Sequence, residues 1–230
     1  MPDDVAARLA GARERIEVAA DRSGRSADAV TVIAVTKGQP QTSITAALAA
    51  GLRDVGESRI QEARAKRDAL NGDAAALHWH LIGHLQHNKA KLGASLFDVV
   101  QSVDSARIAS GLAAHRTAAA PLPVLLEVDL TGLHGRTGVA VTDVDAMIAA
   151  VAALPQLRLL GLMTIAAPGS EGAARAAFAG LRALRDTLRS RHGVALDELS
   201  MGMSDDFEVA VEEGATMVRL GRLLFGERSA

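Results

Sequence analysis

The stretch LSMGMSDDFEVAVEEGATMVRLG, residues 199–221, contains the unit from which the fold is built. Residues 199–202 and 217–221 are short apolar runs typical of buried strands, and residues 206–213 carry apolar positions at helical spacing. A helix between two strands returns the chain to the same end of the sheet, so that the strands run parallel. The stretch therefore predicts a βαβ unit.

The same alternation extends over the rest of the chain. Strand candidates lie at residues 30–37, 54–57, 78–83, 97–103, 124–130, 157–165, 199–202 and 217–221. Helical stretches lie at residues 43–50, 59–70, 105–119, 144–154, 171–191 and 206–213. Eight strands, each followed by a helix, can close into a barrel without exposed sheet edges. We predict an α/β fold, a (β/α)8 TIM barrel, with an extra N-terminal helix at residues 3–22.

An open doubly wound sheet is the alternative that the alternation alone leaves open. Such sheets commonly bind dinucleotides through a GxGxxG turn after the first strand. Here the first strand candidate is followed by Lys37-Gly38-Gln39-Pro40, which is not that fingerprint. The barrel is therefore the favoured architecture.

Composition limits the class of protein. At 230 residues and 49% hydrophobic content, the chain can form a single domain over residues 1–230. A net charge of -2 and five aromatic residues give no reason to expect nucleic acid as a partner. Cysteine is absent, which excludes disulfides and thiolate metal sites. Because no apolar segment approaches the roughly 18 residues of a membrane span, we expect a soluble, cytoplasmic protein without membrane contact. We also expect a monomer, because no long exposed apolar stripe is evident.

Lys37 ends the first strand candidate and is one of only four lysines among 25 basic residues. Arginine stays protonated, whereas a partly desolvated lysine can lose its proton and attack a carbonyl. Lys37 is thus a candidate imine-forming amine, and a salt-bridged lysine at a strand end is the alternative. The other three, Lys66, Lys89 and Lys91, lie among polar helical residues and are expected to face solvent.

The turns after the last two strand candidates suit a phosphate. Barrel enzymes often bind phosphate there, and backbone N–H groups at helix starts carry partial positive charge. Ser204 or Asp205 can cap the following helix, Asp205 and Glu208 have capping-box spacing, and Gly221 and Arg222 open a short helical turn. All of these residues also fit purely structural roles as caps and turns. Arg219 lies on the strand face of Gly221 and can either face a ligand or pair with Glu57 or Glu227.

Four of the seven histidines lie in residues 78–87. His78 and His80 share a strand face, as zinc ligands of barrel hydrolases do, and His134 with the Asp205-Asp206 pair are the other available ligands. The alternative to this metal site is that His80 and His84 line a pocket near the barrel mouth while His78 and His87 lie on the surface. We favour the pocket and predict no metal.

Several motifs together resemble the pyridoxal phosphate homeostasis proteins. The matching pieces are VIAVTK at 32–37, VGESRIQEA at 55–63, WHLIGHLQHNK at 79–89, QSVDS at 101–105, the stretch 199–221, and FGER at 225–228. They occur in the same order, and the stretch 199–221 is the most specific of them. The resemblance implies the fold type III pyridoxal phosphate (PLP) barrel, similar to the N-terminal domain of alanine racemase.

The resemblance also implies roles for individual residues. Lys37 would hold PLP as an internal aldimine, and Arg219 would face the pyridine nitrogen. Ser204 and the backbone at Met203, Gly221 and Arg222 would hold the phosphate. The chain departs from the family at Ser58, where Asn is common near the ring, and at Arg222, where Thr is common. Ser58 and His84 complete the predicted cofactor-binding set, whereas the loop TGLHGRTGV at 131–139 has no assigned role.

The function implied is binding rather than catalysis. The family is described as maintaining the cellular supply of PLP, and the carrier would pass the cofactor to apo-enzymes. A PLP-dependent amino-acid racemase is the alternative, but alanine racemase takes a second proton with a tyrosine, and this chain has none. A metal-dependent hydrolase that uses His78 and His80 is a third hypothesis. We expect no catalytic residues.

Overall fold

The computed structural model describes residues 2–133 and 135–227, with only the backbone described at residues 2 and 3. The strands in this part of the chain are β1 Thr31–Val35, β2 Asp54–Glu57, β3 His78–Leu81, β4 Val99–Val103, β5 Leu122–Asp129, β6 Val139–Ala140, β7 Leu157–Met163, β8 Glu198–Met203 and β9 Met217–Leu220. The α-helices are α1 Pro2–Arg22, α2 Gln41–Ala49, α3 Ile60–Leu70, α4 Ala90–Leu96, α5 Ala106–Ala113, α6 Val144–Ala152, α7 Glu171–His192, α8 Phe207–Glu212 and α9 Arg222–Phe225. Short 3₁₀ helices span Ala27–Ala29, Asn71–Ala76, His87–Lys89 and Val141–Asp143.

The strands other than β6 form a closed parallel barrel, as predicted. Their order is β4-β3-β2-β1-β9-β8-β7-β5, and the pairing of β4 with β5 closes the sheet. β6 pairs only with the end of β5 in the described part of the chain, through Val128↔Val139 and Asp129↔Ala140. All eight strand candidates match barrel strands, and helix α1 precedes them.

The structure corrects the predicted elements in four places. The first strand ends at Val35, because Thr36 to Gly38 form a turn in which Gly38 has φ 70°. Helix α5 ends at Ala113 rather than at residue 119, since the chain turns there and Thr117 bridges to Ala120 ahead of a proline. Helix α4 and strand β6 were not predicted.

The apolar core lies mainly between the strands and the helices. Alternate strand residues such as Val55 and Val100 face outward and pack with Trp79, Phe97 and Phe178 in one cluster. Side chains of the opposite parity point into the barrel. The barrel interior is partly polar, and it includes Arg219, which is 3% exposed. Because all barrel strands run in the same direction, their carboxyl ends meet at one mouth, where residues such as Lys37 and Gly221 lie.

Candidate functional site

A cavity of about 150 Å³ lies at the carboxyl ends of β1, β8 and β9. Six of the eight residues predicted to bind a cofactor line it: Lys37, Met203, Ser204, Arg219, Gly221 and Arg222. The cavity wall is completed by Val35, Gln39, Ile82, Ile165 and Gly226. Lys37 lies in the turn that follows β1, two residues after Val35, which lines the same cavity. The structure therefore brings the predicted amine and the predicted phosphate turns to one cavity.

Ser58 and His84 line a neighbouring cleft of about 280 Å³ instead. The two loops that carry them touch, since a side chain at Gly83 would meet the Ser58 carbonyl oxygen at 2.5 Å. His84 Nδ1 lies 2.9 Å from Asp104 Oδ2, and half of its side chain is exposed. Contact of Ser58 and His84 with a cofactor stays a prediction.

Two glycines shape the cavity at the ends of β8 and β9. Gly202 has φ 90°, and a Cβ there would come within 2.5 Å of the Ala210 side chain. At Gly221 a Cβ would lie 3.3 Å from the Val35 carbonyl oxygen, so a larger residue would crowd β1. Both positions let the backbone turn tightly where the cavity wall forms.

The Ser204 hydroxyl joins the last two turns. Its Oγ accepts a hydrogen bond from Leu223 N at 3.2 Å, which leaves the hydroxyl proton available for a ligand. The predicted capping by Ser204 or Asp205 of the following helix is wrong, because α8 begins at Phe207 with Asp206 at the cap position. Asp205 instead forms an ion pair with Arg222. The cavity thus has a hydroxyl and a guanidinium side by side on these turns.

The Arg219 guanidinium is held by neutral oxygens. Its NH1 donates to Ser200 Oγ at 2.7 Å, and its NH2 donates to the Thr164 carbonyl oxygen at 2.8 Å. Burial lowers the pKa of Arg219 to about 10, although the carboxylates of Asp206 and Glu127 act in the opposite direction. Arg219 therefore stays charged at neutral pH. The alternative that Arg219 pairs with Glu57 or Glu227 is therefore not realised among the described residues.

Glu127 is a buried acid near the carboxyl end of β5. Burial raises its pKa, which a 2.6 Å hydrogen bond from Thr137 Oγ1 and the charges of Arg219 and His84 only partly offset. Thr137 belongs to the loop at 131–139, to which no role was assigned. Thr137 therefore links this part of the chain to the Glu127 carboxyl.

A row of hydrogen bonds crosses the barrel interior from Arg219. Ser200 Oγ donates to Gln101 Oε1 at 2.7 Å, and Gln101 Nε2 lies 2.9 Å from His80 Nδ1. His80 Nε2 lies 3.0 Å from Asp54 Oδ1 at the start of β2. The expectation that His80 lines a pocket at the mouth is wrong, because its ring is buried deeper in the barrel and bonded at both nitrogens.

The turn that carries Lys37 is bonded to buried charges. Lys66, expected to face solvent, is only 7% exposed, and its Nζ donates to Glu57 Oε1, Glu62 Oε1 and the Thr36 carbonyl oxygen at 2.6–2.7 Å. Its aliphatic stem and charged head lie between α3 and the barrel because the two carboxylates and the carbonyl compensate the ammonium. The solvent-facing assignment of Lys66 is wrong.

Among the described residues, no three His, Cys, Asp or Glu side chains are grouped as a metal site would need. His78 is largely exposed, and both His78 and His80 face a single carboxylate oxygen of Asp54. His134, the further ligand considered, lies outside the described residues. The described geometry therefore offers no support for the zinc hypothesis.

Sequence reasoning missed the residues that do not line the cavity but hydrogen-bond to the residues that form it. Gln101 and Ser200 are polar residues inside apolar strand runs, and that contrast was a usable signal. A second usable signal was the spacing of Glu62 and Lys66, which are four residues apart on a predicted helix that follows Glu57. The apolar lining by Ile82 and Ile165 carried no such signal, since both residues look like ordinary strand ends.

The family model of the N-terminal domain of alanine racemase matches residues 9–229. Proteins named pyridoxal phosphate homeostasis protein from Escherichia coli and Pseudomonas aeruginosa are 41% and 45% identical to this chain. The alignments cover 98% and 97% of this chain and 97% and 96% of those relatives. This chain belongs to the pyridoxal phosphate homeostasis protein family.

Solved structures agree with membership of the pyridoxal phosphate homeostasis protein family. PipY of Synechococcus elongatus, solved with PLP bound, is 37% identical with a TM-score of 0.85, over 96% of this chain and all of that chain. Alanine racemase from Corynebacterium glutamicum shares the fold at 21% identity and a TM-score of 0.70, over 99% of this chain and 61% of that one. The nearer relatives are thus named for homeostasis and not for a reaction, in agreement with the expectation of a binding protein. In the described part of the chain, no helix has the length and apolar character to cross a membrane.

Proposed function

We propose that this protein binds PLP in the cavity at the ends of β1, β8 and β9 and maintains its supply as a carrier. The observation that supports the proposal most directly is the meeting of Lys37 with Ser204, Gly221 and Arg222 in one cavity. An amine and a phosphate-binding corner are the two features that an aldehyde with a phosphate ester requires. The structure of PipY with PLP bound, in a protein 37% identical, supports the same assignment.

The donors of the cavity fit the charges of this ligand. Ser204 has a hydroxyl proton to donate and Arg222 brings a guanidinium, whereas Leu223 N at the start of the last short helix is already bonded to Ser204 Oγ. The hydroxyl and the guanidinium would hold the phosphate. When bound, PLP supplies an aldehyde that reacts with amines, and the proposal is that Nζ of Lys37 bonds to that aldehyde carbon with loss of one water.

Arg219 favours storage over catalysis. A guanidinium donates hydrogen bonds but has no acceptor and keeps its proton, so beside a pyridine nitrogen it disfavours protonation of the ring. Ser200 and the Thr164 carbonyl fix this guanidinium in place. A ring held in this way is a weakened electron sink, as suits a protein that keeps the cofactor and does not turn over amino acids.

The proposed partners are PLP and the apo-enzymes that receive it. We propose, as predicted from the sequence, that the protein is a cytoplasmic monomer and that it binds neither nucleic acid nor membranes. Contact of the cofactor with Ser58 and His84 is part of the proposal, through the cleft beside the cavity.

The test is the visible spectrum of purified protein with PLP, before and after borohydride reduction, with the modified peptide mapped. We expect an imine band and a reduced label on Lys37, both absent in Lys37→Ala. Lys91→Ala is the matched control, because Lys91 is an exposed lysine on α4. Label at another residue, or no imine band, would refute the covalent proposal. Racemisation of an amino-acid panel that depends on Lys37 would replace the carrier by an enzyme.

A further inference from the structure

The turn of Thr36, Lys37 and Gly38 is held on both sides of the lysine. Thr36 Oγ1 donates to Glu57 Oε1 at 2.6 Å, and the Thr36 carbonyl oxygen accepts from Lys66 Nζ at 2.6 Å. On the other side, Gly38 N donates to Glu62 Oε1 at 2.5 Å. Each residue next to Lys37 is therefore bonded to the group formed by Glu57, Glu62 and Lys66, which we call the buried triad.

Lys66 is the centre of the buried triad. An ammonium has three N–H donors, and those of Lys66 meet three acceptors: Glu57, Glu62 and the Thr36 carbonyl oxygen. This arrangement leaves the cation no spare donor. A residue with fewer donors at position 66 would release the carbonyl of the turn or one of the two carboxylates.

Two of the three charges in the buried triad, those of Glu57 and Lys66, are expensive to bury. Glu57 is fully buried, and its Oε2 has no hydrogen-bond partner among the described residues. Burial raises the pKa of Glu57, and the hydrogen bonds from Lys66 and Thr36 only partly offset that rise. Buried ion pairs are often no more stabilising than apolar residues of the same volume, so their presence at this turn indicates a geometric role.

We propose that Lys66 is a positioning residue, which with Glu57 and Glu62 fixes the turn so that the side chain of Lys37 enters the cavity in a reactive orientation. The inference rests on the proposed function, because the orientation matters for bond formation with an aldehyde. Lys66 itself lies on the helix side of the barrel wall and does not line the cavity.

The first experiment uses the protein without PLP and measures exchange of the Gly38 amide by NMR. Gly38 is exposed, so its protection depends on the bond to Glu62. The test variant combines Lys66→Met with Glu57→Gln, so that no unpaired buried charge stays at position 57. In this double variant we expect the Gly38 amide to exchange about tenfold faster than in wild type, as for the loss of one hydrogen bond. Lys91→Met is the control, with exchange as in wild type. Wild-type exchange in the double variant would overturn the inference.

The second experiment measures the rate at which borohydride-stable PLP label accumulates on Lys37. A misplaced reacting group costs about 10- to 100-fold in rate, and we expect that loss in the double variant and none in Lys91→Met. In a Lys37→Ala background, the same double substitution should leave the dissociation constant for PLP unchanged, because the phosphate corner is intact. A purely structural role would weaken that binding as well.

The two experiments separate the inference from the function on which it depends. Wild-type protein without label on Lys37 would reject the covalent proposal, and the exchange of Gly38 would still decide whether Lys66 holds the turn. Label that forms in the double variant at the wild-type rate would reject the role of Lys66 and leave the proposed function standing.

Discussion

Ser200 makes the buried charge of Arg219 possible. Its hydroxyl oxygen accepts from the guanidinium while its proton goes to Gln101, so one small side chain satisfies groups on two other strands. Neutral oxygens can hold a guanidinium without forming an ion pair, and this keeps Arg219 directed to the cavity. The chemistry of the site thus depends on a residue that does not line the cavity.

We therefore expect Ser200→Ala to lower the free energy of unfolding by about 1–3 kcal/mol, because a buried donor and a buried acceptor lose their partner. Urea denaturation at neutral pH measures this change. Ser95→Ala is the matched control, since Ser95 is exposed on α4, and it should stay within about 0.5 kcal/mol of wild type. Equal effects of the two substitutions would show that Arg219 does not need the hydroxyl.

Sequence reasoning predicted the residues that line the cavity better than those behind it. Lys37 and Arg219 stood out because charged residues rarely end or occupy apolar strands. Lys66 was misjudged because a lysine on a polar helix usually faces water. Its burial depends on a carboxylate from β2 and a carbonyl from the turn after β1, and one-dimensional spacing does not show such long-range pairs.

At the scale of elements, the strands were predictable and the connections were less so. The apolar runs of the parallel strands are continuous, so each of the barrel strands had a clear signal. Helix α4 was missed because its short sequence AKLGASL has little amphipathic pattern. Strand β6 consists of two residues and forms only through its pairing with β5.

The close approach of β7 to β8 depends on Gly161. A Cβ at this position would lie 1.8 Å from the Glu198 carbonyl oxygen, a backbone atom that cannot move alone. We expect Gly161→Ala to destabilise the protein by about 3 kcal/mol, the upper end of the usual range for overpacking. Thermal and urea denaturation measure the effect.

A second glycine serves as the control for that substitution. Gly180 lies within α7, and a Cβ there would meet no atom within 4 Å. Gly180→Ala should stabilise the protein by about 0.5–1 kcal/mol through the better helix propensity of alanine. If both substitutions destabilised the protein equally, the crowding at β7 and β8 would not be the cause.

At the scale of the whole molecule, the closure of the barrel by β4 and β5 joins the two ends of the sheet. Every barrel strand then has two neighbours, so no half of the sheet can separate without breaking two pairings. Exposed large apolar side chains in the described part of the chain are Val18, Leu92, Leu133, Val141 and Met203, which lie on different elements. A monomer with a single cooperative domain therefore stays our prediction.

Unfolding in urea should therefore be one transition. Trp79, the one tryptophan of the chain, is fully buried and reports by fluorescence, and circular dichroism reports on the helices. We expect coincident curves whose midpoint is independent of protein concentration, and a sedimentation mass of 23.8 kDa. Separate curves would indicate two domains, and a midpoint that rises with concentration would indicate an oligomer.

The row of side chains between Arg219 and Asp54 has a direction. Arg219 can only give hydrogen bonds and an ionised Asp54 can only receive them, so the proton positions of Ser200, Gln101 and His80 between them are all dictated. In this direction Nδ1 of His80 faces the Gln101 amide NH₂ and Nε2 faces the Asp54 carboxylate. The orientation of the guanidinium is thereby tied to a carboxylate on β2, two strands away from β9 in the barrel.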